Sequence, residues 1–209
     1  MSGTGPSYEQ LLERARGNGP MEIMLELLVV ENYEKWVELI HRAIDLALRR
    51  MSENPELYSK RSEDELTIEI INQLRASSFA ADHESKIGGH VDIRVRGARD
   101  SLWLGEAKIH KDDYAWLYKG FEQLDSRYST GNERQNAGGI IIYCRQERVD
   151  RIMSRWKDHL SEQRSDISFE KCSENALAFR SAHPHHRTGI HLSIRHVPLS
   201  LYFDPRDNR

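Results

Sequence analysis

The sequence predicts an α/β protein in which helices flank a mixed central sheet. Two alternating runs separated by a short turn, within residues 90–109, predict a β-hairpin. The continuous apolar run at residues 137–143 is typical of a buried central strand. Apolar residues recur at helical spacing before, between and after these strands. Together the three observations favour a sheet covered by helices, preceded by a helical extension.

Composition limits the possible classes of protein. The chain has 209 residues, which suits one domain with an extension. Charged residues make up 30% and hydrophobic residues 38%, as in soluble globular proteins. The formal net charge of -3 shows no overall basic excess and argues against a non-specific nucleic-acid binder. A local basic groove beside acidic site residues remains compatible with this balance.

The cysteines and the apolar segments indicate where the protein is expected. Cys144 and Cys172 lack the spacing of a metal site, so we expect free, buried thiols in a reducing cytoplasm. The first residues lack the basic and apolar regions of a signal peptide. Residues 21–30 are apolar but short and contain two glutamates, so no membrane span is expected.

Residues 1–60 are predicted to form the N-terminal helical extension. The first twenty or so residues contain several Gly and Pro and are expected to be loose. Residues 21–51 show a helical apolar repeat, which fits one long helix or two. We expect this amphipathic segment to pack on the core, with a dimer contact as the alternative.

Residues 61–209 are predicted to form the second domain, which opens on a capped helix. Ser62 followed by Glu65 forms a capping box. A helical wheel places Glu63 on the apolar face of this helix, whereas Glu65 points away and is assigned to capping. The apolar face comprises Leu66, Thr67, Ile70, Ile71 and Leu74.

Strand parity brings three charged side chains to one face of the hairpin, which follows a first strand predicted at residues 79–87. A three-residue loop at 98–100 sets Asp92 directly opposite Glu106, with Cβ atoms about 5 Å apart. Two carboxylates at that spacing repel each other unless a cation or a proton separates them. Lys108 shares their face, and a one-residue slip in register would separate the two acids.

The hairpin resembles a nuclease signature. Asp92, followed by Glu106-Ala107-Lys108 in an apolar strand, is similar to the D…ExK motif of the PD-(D/E)XK nuclease superfamily. That superfamily has a restriction-endonuclease-like fold and includes restriction enzymes, resolvases, exonucleases and phage-defence effectors. The resemblance covers residues 63–144, and Val91 stands where many members have Pro. It implies Mg²⁺, or Mn²⁺, bound by Asp92, Glu106 and the carbonyl of Ala107, with Lys108 beside the reacting phosphate.

The resemblance also suggests two residues on neighbouring helices. Many members carry a glutamate on the helix before the strands; Glu63 is the better candidate and Glu69 the fallback. An equal alternative is that Glu63 serves only to favour the helix N-terminus. Several branches place a glutamine near the metal, on the helix predicted here at residues 113–128. Gln123 resembles it and shares a stripe with Trp116 and Gly120, although an ordinary exposed glutamine fits equally well.

The expected function is Mg²⁺-dependent cleavage of DNA, as an endonuclease in restriction or phage defence. Specificity would come from a homodimer, a partner protein or the form of the DNA. Two other functions are alternatives. The chain could be a catalytically inactive binding or assembly module of the same fold, or it could be an RNA nuclease.

The C-terminal part predicts a helix at residues 149–160 and short strands at 167–169, 176–179 and 190–203, without a predicted pairing. His183-Pro184-His185-His186 lies before Arg187-Thr188-Gly189 and is expected to be a loop. Because a zinc site needs three or four ligands in fixed geometry, an incidental or substrate-contacting loop is favoured over a metal site.

Overall fold

A mixed seven-stranded sheet with helices on both faces forms the centre of the molecule. The computed structural model describes residues 5–86 and 90–205. The helices are α1 (Tyr8–Ala15), α2 (Gly19–Val29), α3 (Tyr33–Ser52), α4 (Pro55–Tyr58), α5 (Glu63–Ala76), α6 (Tyr114–Glu122) and α7 (Val149–Gln163). The strands are β1 (Ala80–Lys86), β2 (His90–Arg96), β3 (Leu102–Ile109), β4 (Ala137–Cys144), β5 (Ser168–Lys171), β6 (Phe179–Pro184) and β7 (His191–Ser200). Their order in the sheet is β1-β2-β3-β4-β7-β6-β5. The predicted α/β class with a mixed, helix-flanked sheet is confirmed.

The N-terminal segment is more helical than predicted. The expectation of a loose N-terminal segment is wrong from Tyr8 to Ala15, because Ser7 and Gln10 form a capping box that starts α1. The 21–51 repeat proves to be two helices, and the side chain of Asn32 starts the second by accepting from Lys35 N–H at 3.0 Å.

The apolar face of α3 is buried against the sheet and α5. The predicted packing of this amphipathic segment on the core is therefore confirmed. The buried residues of that face include Trp36, Ile40, Ile44 and Leu48. The division into domains 1–60 and 61–209 stays a prediction, and residues 1–4 and 206–209 lie outside the described part of the chain.

α5 starts at the predicted capping box. Glu65 N–H donates to the Ser62 hydroxyl at 3.3 Å, and Ser62 N–H donates to Glu65 Oε2 at 2.7 Å. All five residues of its predicted apolar face are buried. α5 packs over β1, β2 and β3, so its first turn reaches the end of β3.

The β2–β3 hairpin has the predicted register. Around a three-residue loop at 98–100, Arg96 pairs with Leu102, and the pairing continues as far as Ile93 with Gly105. Arg99 and Asp100 occupy the left-handed region in this loop, with φ of 55° and 58°. The next position along this register sets Asp92 opposite Glu106. The preceding strand ends at Lys86, and its predicted last residue, Ile87, lies outside the described residues, as does Gly89.

β4 lies between β3 and β7, parallel to both, and all but its first residue is buried. The predicted central strand is therefore confirmed. The predicted strand at 176–179 is wrong, because β6 occupies Phe179–Pro184. Its inward positions alternate, but they include Ser181 and His183, so no apolar run marks the strand. His183 and Pro184 thus belong to a strand and not to a loop.

Two apolar layers hold the sheet. One face packs against α2, α3 and α5, and the other against α6 and α7. Cys144 and Cys172 are free and buried, as predicted. Within residues 5–86 and 90–205, no helix has the length and apolarity that a membrane crossing requires.

Candidate active site

Four of the predicted side chains converge at the end of β3. The Lys108 ammonium lies 2.7 Å from Glu106 Oε1, 3.5 Å from Glu63 Oε1 and 3.8 Å from Asp92 Oδ2. These residues come from α5, β2 and β3. One lysine is therefore surrounded by three carboxylates that are up to 43 residues apart in the chain.

Backbone donors hold two of the acids in place. Asp92 Oδ2 accepts from Ala107 N–H at 2.9 Å, just beyond the last β2–β3 pair. Glu63 is the first residue of α5, and its Oε2 accepts from Ile109 N–H at 2.6 Å. Each carboxylate therefore caps part of the β3 backbone, and these bonds fix the acids relative to the strand that carries Glu106 and Lys108.

The cluster is closed on one side and open on the other. Glu106 is 2% exposed and Lys108 is 8% exposed, whereas Asp92 and Glu63 are half-buried. Oε2 of Glu106 is buried and has no hydrogen-bond partner among the described residues. If all four groups are ionised, three negative charges face one positive charge. This excess is what a cation or a bound proton would neutralise.

The pKa values of the cluster reflect this excess. Burial, and then the charge of Asp92, raises the pKa of Glu106 to about 7. Burial also raises the pKa of Asp92, against the opposing effect of Lys108. For Lys108, burial alone would lower the pKa, but Glu106 and Asp92 outweigh it and the pKa rises above its usual range. At neutral pH the lysine is charged, and Glu106 is poised to exchange a proton for a cation.

α6 covers the cluster through a glycine. A Cβ on Gly120 would lie 3.2 Å from Cγ of both Glu106 and Lys108, so a larger residue would press on these side chains. One turn earlier, the ring of Trp116 lies 5.7 Å from Lys108 Nζ and 5.1 Å from Lys111 Nζ. The sequence placed Trp116 and Gly120 on one stripe of the predicted helix, but it did not indicate that this stripe covers the acidic cluster.

Glu63, and not Glu69, is the helix acid at this site. Glu69 Oε1 instead accepts from Gln73 Nε2 at 3.3 Å, further along α5. Gln123 begins a π-helical segment (Gln123–Tyr128) that ends the helix predicted at 113–128. Its backbone N–H donates to the carbonyls of Lys119 and Gly120, but its half-buried side chain has no hydrogen bond with the residues that the structure describes, so its role stays a prediction.

The histidine-rich segment lies at the other end of the strands. Glu106 is level with Ile140 and, through it, with His196 on β7. His183 is level with Leu192, four residues earlier on β7. Four residues along the strand and three strand spacings give a separation of roughly 20 Å from Glu106. His183 and its neighbours therefore do not belong to the acidic cluster.

Comparisons of the chain with protein-family models, with curated proteins and with solved structures gave no match. The chemistry of the cluster therefore follows from its own geometry. Oxygen donors, an excess of negative charge and a buried ammonium are suited to binding a divalent cation and a phosphate together.

Proposed function

We propose that this chain is a Mg²⁺-dependent phosphodiesterase that cleaves DNA, an endonuclease of the PD-(D/E)XK type with a restriction-endonuclease-like core. One observation carries the proposal. The Lys108 ammonium lies within 3.8 Å of three carboxylates, two of which occupy the Asp and Glu positions of the D…ExK pattern.

The donors fit Mg²⁺ or Mn²⁺. Asp92 and Glu106 offer carboxylate oxygens, and Glu106 Oε2 is a buried acceptor without a partner in the described chain. The N–H of Ala107 points to Asp92, and the carbonyl of a strand residue points to the same side as its N–H. The Ala107 carbonyl therefore points to the edge of β3 on which Asp92 lies. Mg²⁺ usually takes one or two carboxylates and keeps several waters, which matches this small set.

Lys108 supplies the electrostatic part of the reaction. When bound, Mg²⁺ lowers the pKa of a coordinated water and stabilises charge on the phosphoryl group. The charged Lys108 Nζ can donate to the attacking water or to a phosphate oxygen, where negative charge develops. Glu63 and Asp92, tied to the β3 backbone, hold that ammonium in place from the open side.

The open side also has features that suit a nucleic acid. Lys111 is exposed and lies against the ring of Trp116, which also contacts Lys108. Local positive charge of this kind can neutralise phosphates although the net charge of the chain is negative. The preference for DNA over RNA, and the role in restriction or phage defence, derive from the resemblance of the motif.

A homodimer is part of the proposal as a source of specificity, with a partner protein as the alternative. The apolar face of α3 is used inside the chain, so it offers no dimer contact. Leu28 and Val29 at the end of α2 are 77% and 55% exposed and form the apolar surface that a second copy would cover. Sedimentation at working concentration tests this, because Leu28→Glu should shift a dimer to a monomer.

Cleavage of labelled DNA and RNA in Mg²⁺ or Mn²⁺ tests the activity. We expect Lys108→Met and Glu106→Gln to slow DNA cleavage by at least about 100-fold, because each removes a group that stabilises the transition state. Glu69→Gln, a half-buried glutamate of α5 away from the cluster, is the matched control and should cut at the parental rate. A Lys108→Met protein that cuts as fast as the parent would overturn the proposal.

The cleavage assay and a Mg²⁺ titration together separate the DNA nuclease from the RNA nuclease and from the inactive module. Cleavage of RNA alone would favour the RNA nuclease. Calorimetry with millimolar Mg²⁺ should show binding that disappears in Asp92→Ala. If the protein neither binds Mg²⁺ nor cuts either substrate, the inactive binding or assembly module is the better description.

A further inference from the structure

A second group of metal-ligand side chains lies where the π-helical segment meets the β6–β7 turn. Asp125, His185 and His186 each offer one ligand atom, and these atoms lie within 4.8 Å of one another. Asp125 is 7% exposed and His185 is 1% exposed, while His186 is exposed to solvent. Two of the three ligands are therefore fixed inside the protein, and the third lies at the surface.

Two polar atoms of this group are buried and form no well-aligned hydrogen bond. Oδ1 of Asp125 and Nε2 of His185 have no hydrogen bond to any residue in the described part of the chain. Nε2 of His183 lies 3.1 Å from Asp125 Oδ1 but lacks the alignment of a hydrogen bond. Buried polar atoms left unsatisfied are costly, so a cluster of them indicates a missing ligand.

The surroundings of His185 favour a free lone pair at Nε2. The Thr188 hydroxyl donates its one hydrogen to the Gly131 carbonyl at 2.7 Å. Its contact with His185 Nδ1 at 3.4 Å must then have Nδ1–H as the donor. Metal-binding histidines commonly donate their second N–H in this way, which leaves the other nitrogen to bind the metal.

Asp125 keeps one oxygen for a ligand although it has a salt bridge. Arg164 donates to Asp125 Oδ2 at 2.7 Å. The other side of the same guanidinium binds Asp166 at 2.9 and 2.8 Å, so two carboxylates share one positive charge. Arg164 therefore leaves Oδ1 of Asp125 free of its guanidinium, and this oxygen lies 3.1 Å from Nε2 of His183 on the side of the histidines.

We propose that Asp125, His185 and His186 bind a zinc ion, with water at the fourth position. Two imidazoles and one carboxylate are a usual zinc donor set. A tetrahedral ion with bonds of about 2.0 Å needs donor atoms about 3.3 Å apart. Of the three ligands His186 is the exposed one and has the most room to adjust; its ring lies 4.7 Å from that of His185, centroid to centroid.

This site is independent of the proposed nuclease centre. It lies at the opposite end of the strands, and its imidazole nitrogens, which suit zinc, differ from the oxygen donors around Lys108. The ion would join the π-helical segment, which continues from α6, to the turn after β6. Zinc is thus expected to brace the end of the helix that covers the acidic cluster.

Zinc titration of the full chain, after EDTA has removed metal, tests the proposal. Calorimetry should show one Zn²⁺ per chain, and Co²⁺ should give the visible absorption of a tetrahedral site. His186→Ala removes a surface ligand without disturbing the core and should weaken Zn²⁺ binding at least about 100-fold. His191→Ala, an exposed histidine five residues away, is the matched control and should bind as the parent does.

A second comparison separates the two metal centres. Glu106→Gln should keep the zinc site unchanged, and the rise in melting temperature with Zn²⁺ should be lost only in His186→Ala. The proposal is overturned if the parent takes up no zinc, or if His186→Ala binds it as tightly as His191→Ala.

Discussion

Replacing Glu106 with glutamine is expected to stabilise the metal-free protein, although it removes a proposed metal ligand. Folding raises the pKa of Glu106 from its usual 4.5 to about 7, first through burial and then through Asp92. Between these values the folded protein keeps a proton that the unfolded chain releases, so stability falls as the pH rises. The loss above pH 7 is about 3 kcal/mol at 1.36 kcal/mol per pKa unit. Weakening of the 2.7 Å contact with Lys108 offsets part of this, which leaves a net gain of about 1–3 kcal/mol.

Urea denaturation in EDTA at pH 8 and pH 5 measures this gain. At pH 8 the glutamine variant should be more stable than the parent, and at pH 5, where the folded parent holds its proton, most of the difference should disappear. Glu69→Gln should change little at either pH. The reasoning is refuted if Glu106→Gln is less stable than the parent at pH 8, or if it gains equally at both pH values.

Three further outcomes follow from the packing. Gly120→Ala should slow cleavage about 10- to 100-fold, since its methyl group would lie 3.2 Å from two active-site side chains; urea denaturation should show a change below about 2 kcal/mol, because alanine favours the helix. Asp45→Ala should destabilise the folded protein by about 3 kcal/mol, since it removes the carboxylate that lies 2.8 Å from the buried Arg195 guanidinium and leaves that charge unpaired. Glu26→Ala breaks a more exposed pair and should cost under about 1 kcal/mol by the same measurement; equal losses would contradict this. Burial lowers the pKa of His196 from its usual 6.5 to about 3. Below pH 6.5 the unfolded chain therefore binds a proton at this histidine that the folded protein does not bind. His196→Gln should therefore remove up to about 1.4 kcal/mol per pH unit from the loss of stability between pH 6 and pH 4, and an unchanged slope would count against it.

The hairpin and its acids were predictable because their geometry is local. Alternation in a strand has a period of two, and the loop at 98–100 leaves one register for the flanking runs. Asp92, Glu106 and Lys108 therefore follow from about twenty consecutive residues. Glu63 was within reach because the capping box set the start of α5, and the wheel then gave its face.

The remaining features depend on contacts between distant parts of the chain. β6 was missed because two of its inward-facing residues, Ser181 and His183, are polar. A prediction from hydrophobic alternation assigns polar residues to exposed positions. The cluster around Asp125 was hidden because a π-helical segment departs from the 3.6-residue period. Its histidine partners lie some sixty residues later, and no local spacing links them.

The hydrogen bond between Asp92 and the β3 backbone bears on which ion the site would accept. Oδ2 of Asp92 accepts from Ala107 N–H at 2.9 Å, whereas Oδ1 is not held by this bond. Ca²⁺ takes six to eight oxygens and often binds carboxylates through both of theirs, whereas Mg²⁺ accepts single oxygens in a compact octahedron. If a metal binds as proposed, the hydrogen bond that holds Oδ2 would favour coordination through one oxygen of Asp92, and so the smaller Mg²⁺.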